Sequence, residues 1–192
     1  MKKLILFLCL MVNIVITSFS ETSKFQLGLT PTLNIGSNKK INGLRVPLFF
    51  GTTEKVTGVD FNIFASDVDE FIGLQSGIFL GAGIFNKVNT TFNGVGLGLV
   101  NLHGGESKGS LMGVANLTNE FTGLKLGILN YSKLSSNYEF GVINYSKKAF
   151  FQLGIINITG QINGLQIGLL NFSENGISPV MPFLNFSWKL FK

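Results

Sequence analysis

A short unit recurs through the second half of the chain and limits what this chain can fold into. Each unit places a glycine three residues before an asparagine, and from Asn101 to Asn185 the steps between asparagines are 15, 14, 14, 13, 14 and 14 residues. Such a regular short period is typical of repeat architectures. The repeated positions are Gly98, Asn101, Gly113, Asn116, Gly127, Asn130, Gly141, Asn144, Gly154, Asn157, Gly168, Asn171 and Asn185, with Pro182 in place of the last glycine.

Each unit has the residue alternation of a β-strand. In the unit that begins at Gly164, the apolar side chains of Leu165, Ile167 and Leu169 alternate with glycine and glutamine. A period of two is the strand signal, and the frequent glycines oppose a helix. About six residues rich in Ser, Asn, Gly and Lys follow, which is the composition of a turn. The sequence therefore predicts one strand and one turn per unit. Weaker units start at Gly43, Gly58 and Gly73, and a longer step separates Gly73 from Gly94.

The two faces of these strands differ sharply. One face is almost unbroken apolar from Leu44 to Leu169, whereas the other is polar or small. Both signs of charge occur on the polar face, so pairing between neighbouring strands is expected, with Arg45 or Lys125 as partners for Asp60 and Glu139. The residues predicted to face inward from this polar side are Arg45, Asp60, Gln75, Lys125, Glu139, Gln152, Gln166 and, in the last strand, Lys189.

This pattern predicts an all-β fold, an antiparallel meander closing into an outer-membrane-type β-barrel of about 11–12 short strands. Apolar side chains would face lipid and polar ones the lumen, with Tyr131, Tyr145, Phe172 and Phe186 forming an aromatic belt. The first and last strands also alternate, over Phe25–Thr30 and Leu184–Phe191, and could pair to close the sheet.

Two alternatives stay open, because strands of about eight residues are short for the ~9–11 that a membrane needs. One is a β-solenoid, in which the repeated asparagines would stack in ladders between coils. The other is a soluble β-sandwich with the apolar face as its core. The segment from Leu80 to Asn93 holds either a longer loop or one extra strand, which would then be Leu80 to Val88.

The N-terminus predicts export. Met1-Lys2-Lys3, an apolar run from Leu4 to Thr17 and small residues up to Ser20 form the three parts of a cleavable secretory signal. We therefore divide the chain into a signal peptide, residues 1–20, and a single repeat-built β domain, residues 21–192. Cleavage removes Lys2, Lys3 and Cys9, so the formal charge falls from +5 to +3 (5 − 2) and no cysteine remains. The dispersed positive charge does not support nucleic-acid binding.

The residues that could carry chemistry are isolated. His103 is the single histidine and is read as a loop residue, unable to anchor zinc without other ligands. Asp67, Asp69 and Glu70 form an acidic cluster whose spacing matches no calcium loop, and it is read as a solvated turn. Asn-x-Ser/Thr triplets follow the repeat period, so a backbone role is preferred over glycosylation. The prediction is no catalytic, cofactor or metal site, and not an enzyme.

The units at 94–192, and more weakly those at 43–80, resemble a family of bacterial surface-repeat proteins built from tandem Gly-Leu-Gln-x-Gly-Leu-x-Asn units. The resemblance implies an envelope location and a repeat architecture, with no catalytic residues. Together with the signal peptide and the two-faced strands, it leads us to expect a location in the outer membrane or at the cell surface. The expected function is a structural or passive-pore role with membrane lipid as partner. The alternative is a surface binding or adhesion module that presents loops, such as Gly104–Lys108 and Leu134–Asn137, to a host or envelope ligand. Ligand, orientation and oligomeric state stay open.

Overall fold

The fold was analysed in a computed structural model, which describes residues 21–31, 33–37, 39–77 and 83–188. These residues form one all-β sheet system with the strand order β2-β1-β3-β4-β5-β6-β7-β8. The strands are β1 (Thr22–Gly28), β2 (Asn34–Ile35), β3 (Lys40–Pro47), β4 (Phe50–Asn62), β5 (Ala65–Gly77), β6 (Gly83–Leu153), β7 (Ile156–Ser173) and β8 (Val180–Phe186).

Consecutive repeat units stack in parallel and in register. Gly43 pairs with Gly58, Gly58 with Gly73, and Gly73 with Gly94. Farther along, Asn144 pairs with Asn157. Strand β6 runs for 71 residues without interruption because the backbone ladder continues through the corners of the coils. The chain therefore winds into a β-solenoid of about nine turns, in which each repeated residue type forms a column along the axis.

The predicted barrel is wrong, and the solenoid alternative is correct. A barrel requires antiparallel neighbours and paired first and last strands, whereas β3 to β7 pair in parallel and β1 and β8 lie toward opposite ends of the sheet order. The sandwich is also wrong, because much of the apolar face lies outside the coils and is exposed. Alternation alone could not separate these folds, since it defines two faces of a strand but not the direction of its neighbour.

The segments predicted as turns are instead further sides of the coil. Gly104–Lys108 and Leu134–Asn137 both lie within β6, and His103 is buried inside the solenoid. Their small polar residues point inward in alternation with outward ones, so the backbone stays extended. Of the six extra residues between Gly73 and Gly94, five precede Phe85, where residues 78–82 lie outside the described part of the chain, and one falls at the register shift between Val88 and Thr91. Phe85 to Val88 continue the parallel ladder with β5.

Antiparallel strands cover both ends of the solenoid. At one end β2 pairs antiparallel with β1, and at the other β8 pairs antiparallel with β7, with Leu165 opposite Phe186. A parallel solenoid otherwise ends in an open strand edge, to which another chain can add. These short antiparallel strands interrupt the repeat at both ends, so further coils or another chain cannot stack there in the same parallel manner.

Apolar residues fill part of the interior, mainly in the first coils. The buried apolar cluster consists of Ile41, Val56, Val68, Phe71, Val88, Phe92, Leu111 and Phe121. The rings of Phe71 and Phe92 stack with their centroids 5.6 Å apart. Toward the C-terminal coils the interior becomes polar, so hydrogen bonds replace much of the apolar packing there.

Candidate functional site

The repeated asparagines form a hydrogen-bonded ladder inside the solenoid. The side-chain amide nitrogen of each donates to the amide oxygen of the next at 2.8–2.9 Å, from Asn86 through Asn171. The same nitrogen also donates to a backbone carbonyl of the next coil; for Asn144 this is the carbonyl of Leu153, at 2.9 Å. All of these side chains are buried. Each amide therefore joins its coil to the next twice, and the asparagines are structural.

One predicted repeat residue lies outside this pattern. Asn185 does not continue the ladder, because β8 runs antiparallel to β7. Its side chain instead accepts from the Ile177 amide and donates to the Ser178 carbonyl, which closes the C-terminal end. Lys189, predicted to face inward, lies outside the described residues.

The glycine column exists because the ladder occupies the space that a side chain would need. A Cβ added to Gly98 would lie 2.6 Å from the amide nitrogen of Asn86 and 2.9 Å from the amide oxygen of Asn101. A Cβ added to Gly141 would lie 2.6 Å from the carbonyl oxygen of Gly127. The fixed spacing of glycine and asparagine in the sequence thus has one structural cause. Each glycine leaves room for the asparagine amide of its own coil and for that of the preceding coil.

A second interior column holds the residues predicted to face inward. Arg45 donates to Asp60 at 3.0 Å, and Lys125 lies 2.8 Å from Glu139, with all four side chains fully buried. Both pairs join adjacent coils. Gln26 and Ser66 complete the partners of Arg45. These opposite charges compensate one another within the solenoid, and the structure brings together the neighbours that the sequence suggested.

The neutral members of this column extend the network. Gln75 donates to Asp60, Gln152 donates to Glu139 at 2.6 Å, and Gln166 donates to the oxygen of Gln152 at 2.8 Å. The predicted inward polar residues therefore line the filled interior of a solenoid, not the lumen of a barrel. Their polar atoms bind mainly one another.

His103 lies in this interior next to the charged column. Its Nδ1 is 3.0 Å from the hydroxyl of Ser107, and its ring packs against Phe92 with the centroids 4.4 Å apart. Burial, and secondarily the positive charge of Lys125, lower the pKa of His103 from 6.5 to about 3. Burial also lowers the pKa of Lys125, an effect that the attraction of Glu139 opposes. His103 is therefore a neutral, packed residue at physiological pH.

The acidic cluster lies on the outer surface of strand β5, not in the solvated turn that was predicted, and its carboxylates are paired. Asp67 accepts from Lys87 at 2.8 Å, and the amide of Asn89 bridges Asp67 and Asp69. Glu70 forms a 2.7 Å ion pair with Lys55, whose hydrogen bond and charge lower the pKa of Glu70. Among the described residues, no three His, Cys, Asp or Glu side chains are placed to hold a metal ion.

The outer surface of the coils is divided lengthwise into two halves. In the coils of the asparagine ladder, outward residues from six before to one after each asparagine are almost all apolar, and we call this surface the apolar half. Ile128 and Leu169 are typical of it, with 55% and 58% of their surface exposed. The column two residues before the asparagine consists of Leu99, Val114, Ile128, Val142, Ile155 and Leu169.

The polar half comprises the outward residues from three to seven after each asparagine, and most of the outer charges in the ladder coils belong to it. These are Glu106, Lys108, Glu120, Lys133, Lys147, Lys148 and Glu174. The solenoid as a whole is thus amphipathic across its short axis. Isolated exposed apolar residues are ordinary, but a continuous apolar surface of this extent marks a site of interaction.

The border between the two halves carries a feature that the sequence did not reveal. Tyr131 and Tyr145 stack with their ring centroids 5.1 Å apart, and two residues farther along lie Lys133 and Lys147 in adjacent coils. We call Tyr131, Lys133, Tyr145, Lys147 and Lys148 the Tyr–Lys strip. Grooves of about 340 and 460 Å³ lie beside Lys133 and Lys147. The tyrosines were predicted as rim aromatics, but the lysines looked like turn residues.

In the part of the chain that the structure describes, no helix has the length and apolar character of a membrane span. Comparisons with protein-family models, with curated proteins and with solved structures find no significant match.

Proposed function

We propose that this chain is an exported, non-catalytic structural repeat protein of a bacterial envelope, which lies on a lipid layer with its apolar half against the acyl chains. The single observation that carries this proposal is the lengthwise division of the outer surface. An elongated body with one apolar and one charged side has the design of an interfacial element, which lies in the plane of the membrane surface.

The extent of the apolar half favours lipid as its environment. About nine coils spaced by the strand separation of ~4.8 Å give the solenoid a length of roughly 40 Å. The apolar columns occupy several outward positions of each coil and continue around a corner onto a second side. A flat partner protein would cover only one of these sides, whereas acyl chains can surround both. Burial of side chains such as Ile128 and Leu169 in acyl chains stabilises the bound state by roughly 25 cal/mol for each Å² removed from water.

The filled interior supports a structural role in preference to a pore. Buried ion pairs and the asparagine ladder occupy the space within the described coils. Their hydrogen bonds between coils fix a rigid, extended shape, which suits a scaffold. The same mutual pairing supports a role without catalysis, because a catalytic group must be free to reach substrate.

Flotation with vesicles of phosphatidylcholine tests this proposal. The mature chain, residues 21–192, is expected to float with neutral vesicles and to require detergent for release from cell envelopes. Recovery in the soluble fraction without detergent, together with no flotation, would contradict it. The variant pair Ile128→Asp and Leu169→Asp should weaken flotation, since it places charge in the apolar half. The pair Thr122→Asp and Gln161→Glu, which adds the same charge to the polar half, is the control.

The polar half suggests a second candidate function, a surface that binds an envelope or host ligand. When the apolar half contacts lipid, the polar half faces water, and the segments Gly104–Lys108 and Leu134–Asn137 lie on it. Labelling of intact cells tests this candidate. A cysteine introduced at Glu106 should react with a membrane-impermeant reagent, and protection of that cysteine in intact cells but not in lysed ones would argue against surface display.

A further inference from the structure

We propose that the Tyr–Lys strip recognises the anionic headgroups of the lipid layer. This inference rests on the proposed function, because it concerns the border of the same lipid-facing surface. It adds that the C-terminal coils, not the N-terminal ones, carry the charge recognition.

The lysines of the strip are crowded and lack protein counterions. Asn130 bonds to Asn144 and Tyr131 stacks on Tyr145, so Lys133 and Lys147 occupy equivalent positions on adjacent strands about 4.8 Å apart. Lys148 follows directly. Among the described residues, no carboxylate lies within 4 Å of any of these three ammonium groups. Like charges on neighbouring strands repel. An anion bound between the lysines removes this repulsion and is attracted by both ammonium groups.

Two outward carboxylates of the C-terminal half, Glu120 and Glu174, do not pair with these lysines. Glu120 accepts a hydrogen bond from Ser135 at 3.0 Å, and Glu174 belongs to a coil two steps beyond that of Lys147. Three lysines of the first coils are paired, Lys39 with Glu21, Lys55 with Glu70 and Lys87 with Asp67. Lys24 and Lys40 form no such pair within the described part of the chain, but residues 21–87 carry six basic and six acidic side chains. The solenoid therefore has a charge-balanced N-terminal region and an unpaired basic strip in its C-terminal half.

The position of the strip matches the headgroup level of a bound lipid layer. Tyr131 and Tyr145 are the last residues of the apolar half, with about two fifths of their surface exposed, and the lysines begin the polar half. Tyrosine at such a border has its ring among apolar groups and its hydroxyl in the polar layer. Lysine stems can lie along the apolar surface while the ammonium groups reach phosphates. Anionic phospholipid is therefore the partner that both residue types fit.

Vesicle flotation at two compositions tests the inference. The full mature chain is compared on phosphatidylcholine vesicles and on vesicles in which phosphatidylglycerol replaces a third of the lipid. The variant combines Lys133→Gln, Lys147→Gln and Lys148→Gln. The matched control combines Lys39→Gln, Lys55→Gln and Lys87→Gln, which removes the same charge from the paired lysines. Circular dichroism and thermal unfolding establish that both variants retain the fold.

We expect the wild type to bind the anionic vesicles more tightly, by about fivefold for each lysine and on the order of 100-fold in total. The strip variant should lose most of this gain while keeping its affinity for neutral vesicles, and the control should keep it. High salt should abolish the gain, because exposed charges are screened.

The contrary outcomes are distinct. Equal binding of wild type and strip variant to both compositions would overturn this inference and leave the lipid proposal intact. Equal losses in the strip variant and the control would show a response to net charge alone and would also overturn it. A stable dimer that binds neither vesicle type, detected by analytical ultracentrifugation, would overturn both proposals, because a second copy would then cover the apolar half.

Discussion

Lys125 and Glu139 form a salt bridge 2.8 Å long between adjacent coils, with both side chains completely buried. Gln152 and Ser146 bond to the same carboxylate, and Ser132 accepts from the ammonium group. A buried ion pair of this kind contributes little compared with an apolar pair of the same shape, but loss of one partner leaves a buried charge without compensation.

Lys125→Met should therefore destabilise the protein by about 3–5 kcal/mol, since Glu139 loses its counterion. The double variant Lys125→Met with Glu139→Gln should recover at least half of that loss, because no buried charge remains. Urea unfolding followed by far-UV circular dichroism measures both free energies. Equal destabilisation of the single and double variants would show that the interaction is not mainly one of charge compensation.

Asn144→Ala tests the asparagine ladder at its centre. The substitution removes donors to Asn157 and to the Leu153 carbonyl, and it removes the acceptor of the Asn130 amide. Unsatisfied buried groups cost about 1–3 kcal/mol each, so a loss of at least 2 kcal/mol in the free energy of unfolding is expected. Asn163→Ala, at an exposed outward position, is the control and should change stability by less than about 0.5 kcal/mol. Similar effects for the two variants would contradict a structural ladder.

Gly141→Ala tests the space that the ladder requires. Its added Cβ would lie 2.6 Å from the Gly127 carbonyl oxygen and 2.7 Å from the Asn130 amide nitrogen. Because backbone must shift to relieve this contact, a loss of about 1–3 kcal/mol in unfolding free energy is expected. At Gly160 the nearest atom to an added Cβ is 3.1 Å away, so Gly160→Ala is the matched control and should cost clearly less. Thermal unfolding compares the two, and a more harmful Gly160→Ala would refute the packing argument.

Because His103 is buried and neutral, we expect the free energy of unfolding to decrease under acidic conditions. Its pKa is lowered to about 3 in the folded state, by burial first and by Lys125 second, whereas the unfolded chain has the ordinary value of 6.5. Below pH 6.5 the unfolded state binds a proton that the folded state excludes until about pH 3. The free energy of unfolding should thus fall by up to roughly 1.4 kcal/mol per pH unit in this window.

The variant His103→Gln removes the contribution of His103 to this pH dependence and leaves the contribution of the carboxylates unchanged. Between pH 7 and pH 5, the wild type should lose about 2 kcal/mol more than the variant. Urea unfolding at several pH values gives both slopes. Parallel slopes for the two proteins would mean that His103 is not held neutral by the fold.

Several features of the interior could be predicted from the residues alone. The alternation of Leu165, Ile167 and Leu169 with Gln166 defines two faces of a strand, whatever the fold. The column containing Arg45 and Asp60 follows from alignment of the units, and so does the expectation that opposite charges on adjacent strands pair. Ladders of asparagine were expected only for the solenoid alternative.

Other features could not be predicted because they depend on distant packing. Ser132 and Ser136 are small and polar, so the side of the coil that they line has the composition of a turn, and His103 looked like a loop residue for the same reason. Lys133 and Lys147 are fourteen residues apart and become neighbours only through parallel stacking.

The sequence by itself determined a strand-forming unit of about fourteen residues, with an apolar face and a polar face in which glycine and asparagine are locked together. Hydrophobic periodicity and the shape of glycine are local properties, so they can be read without a fold. Only the tertiary structure decided that the units stack in parallel. An antiparallel sheet forms if the residues between strands reverse the chain, and a parallel one forms if they carry it around a corner. The hydrogen bonds between coils stabilise the parallel arrangement. The same choice placed the polar face inside, the apolar face outside and the two tyrosines beside the unpaired lysines.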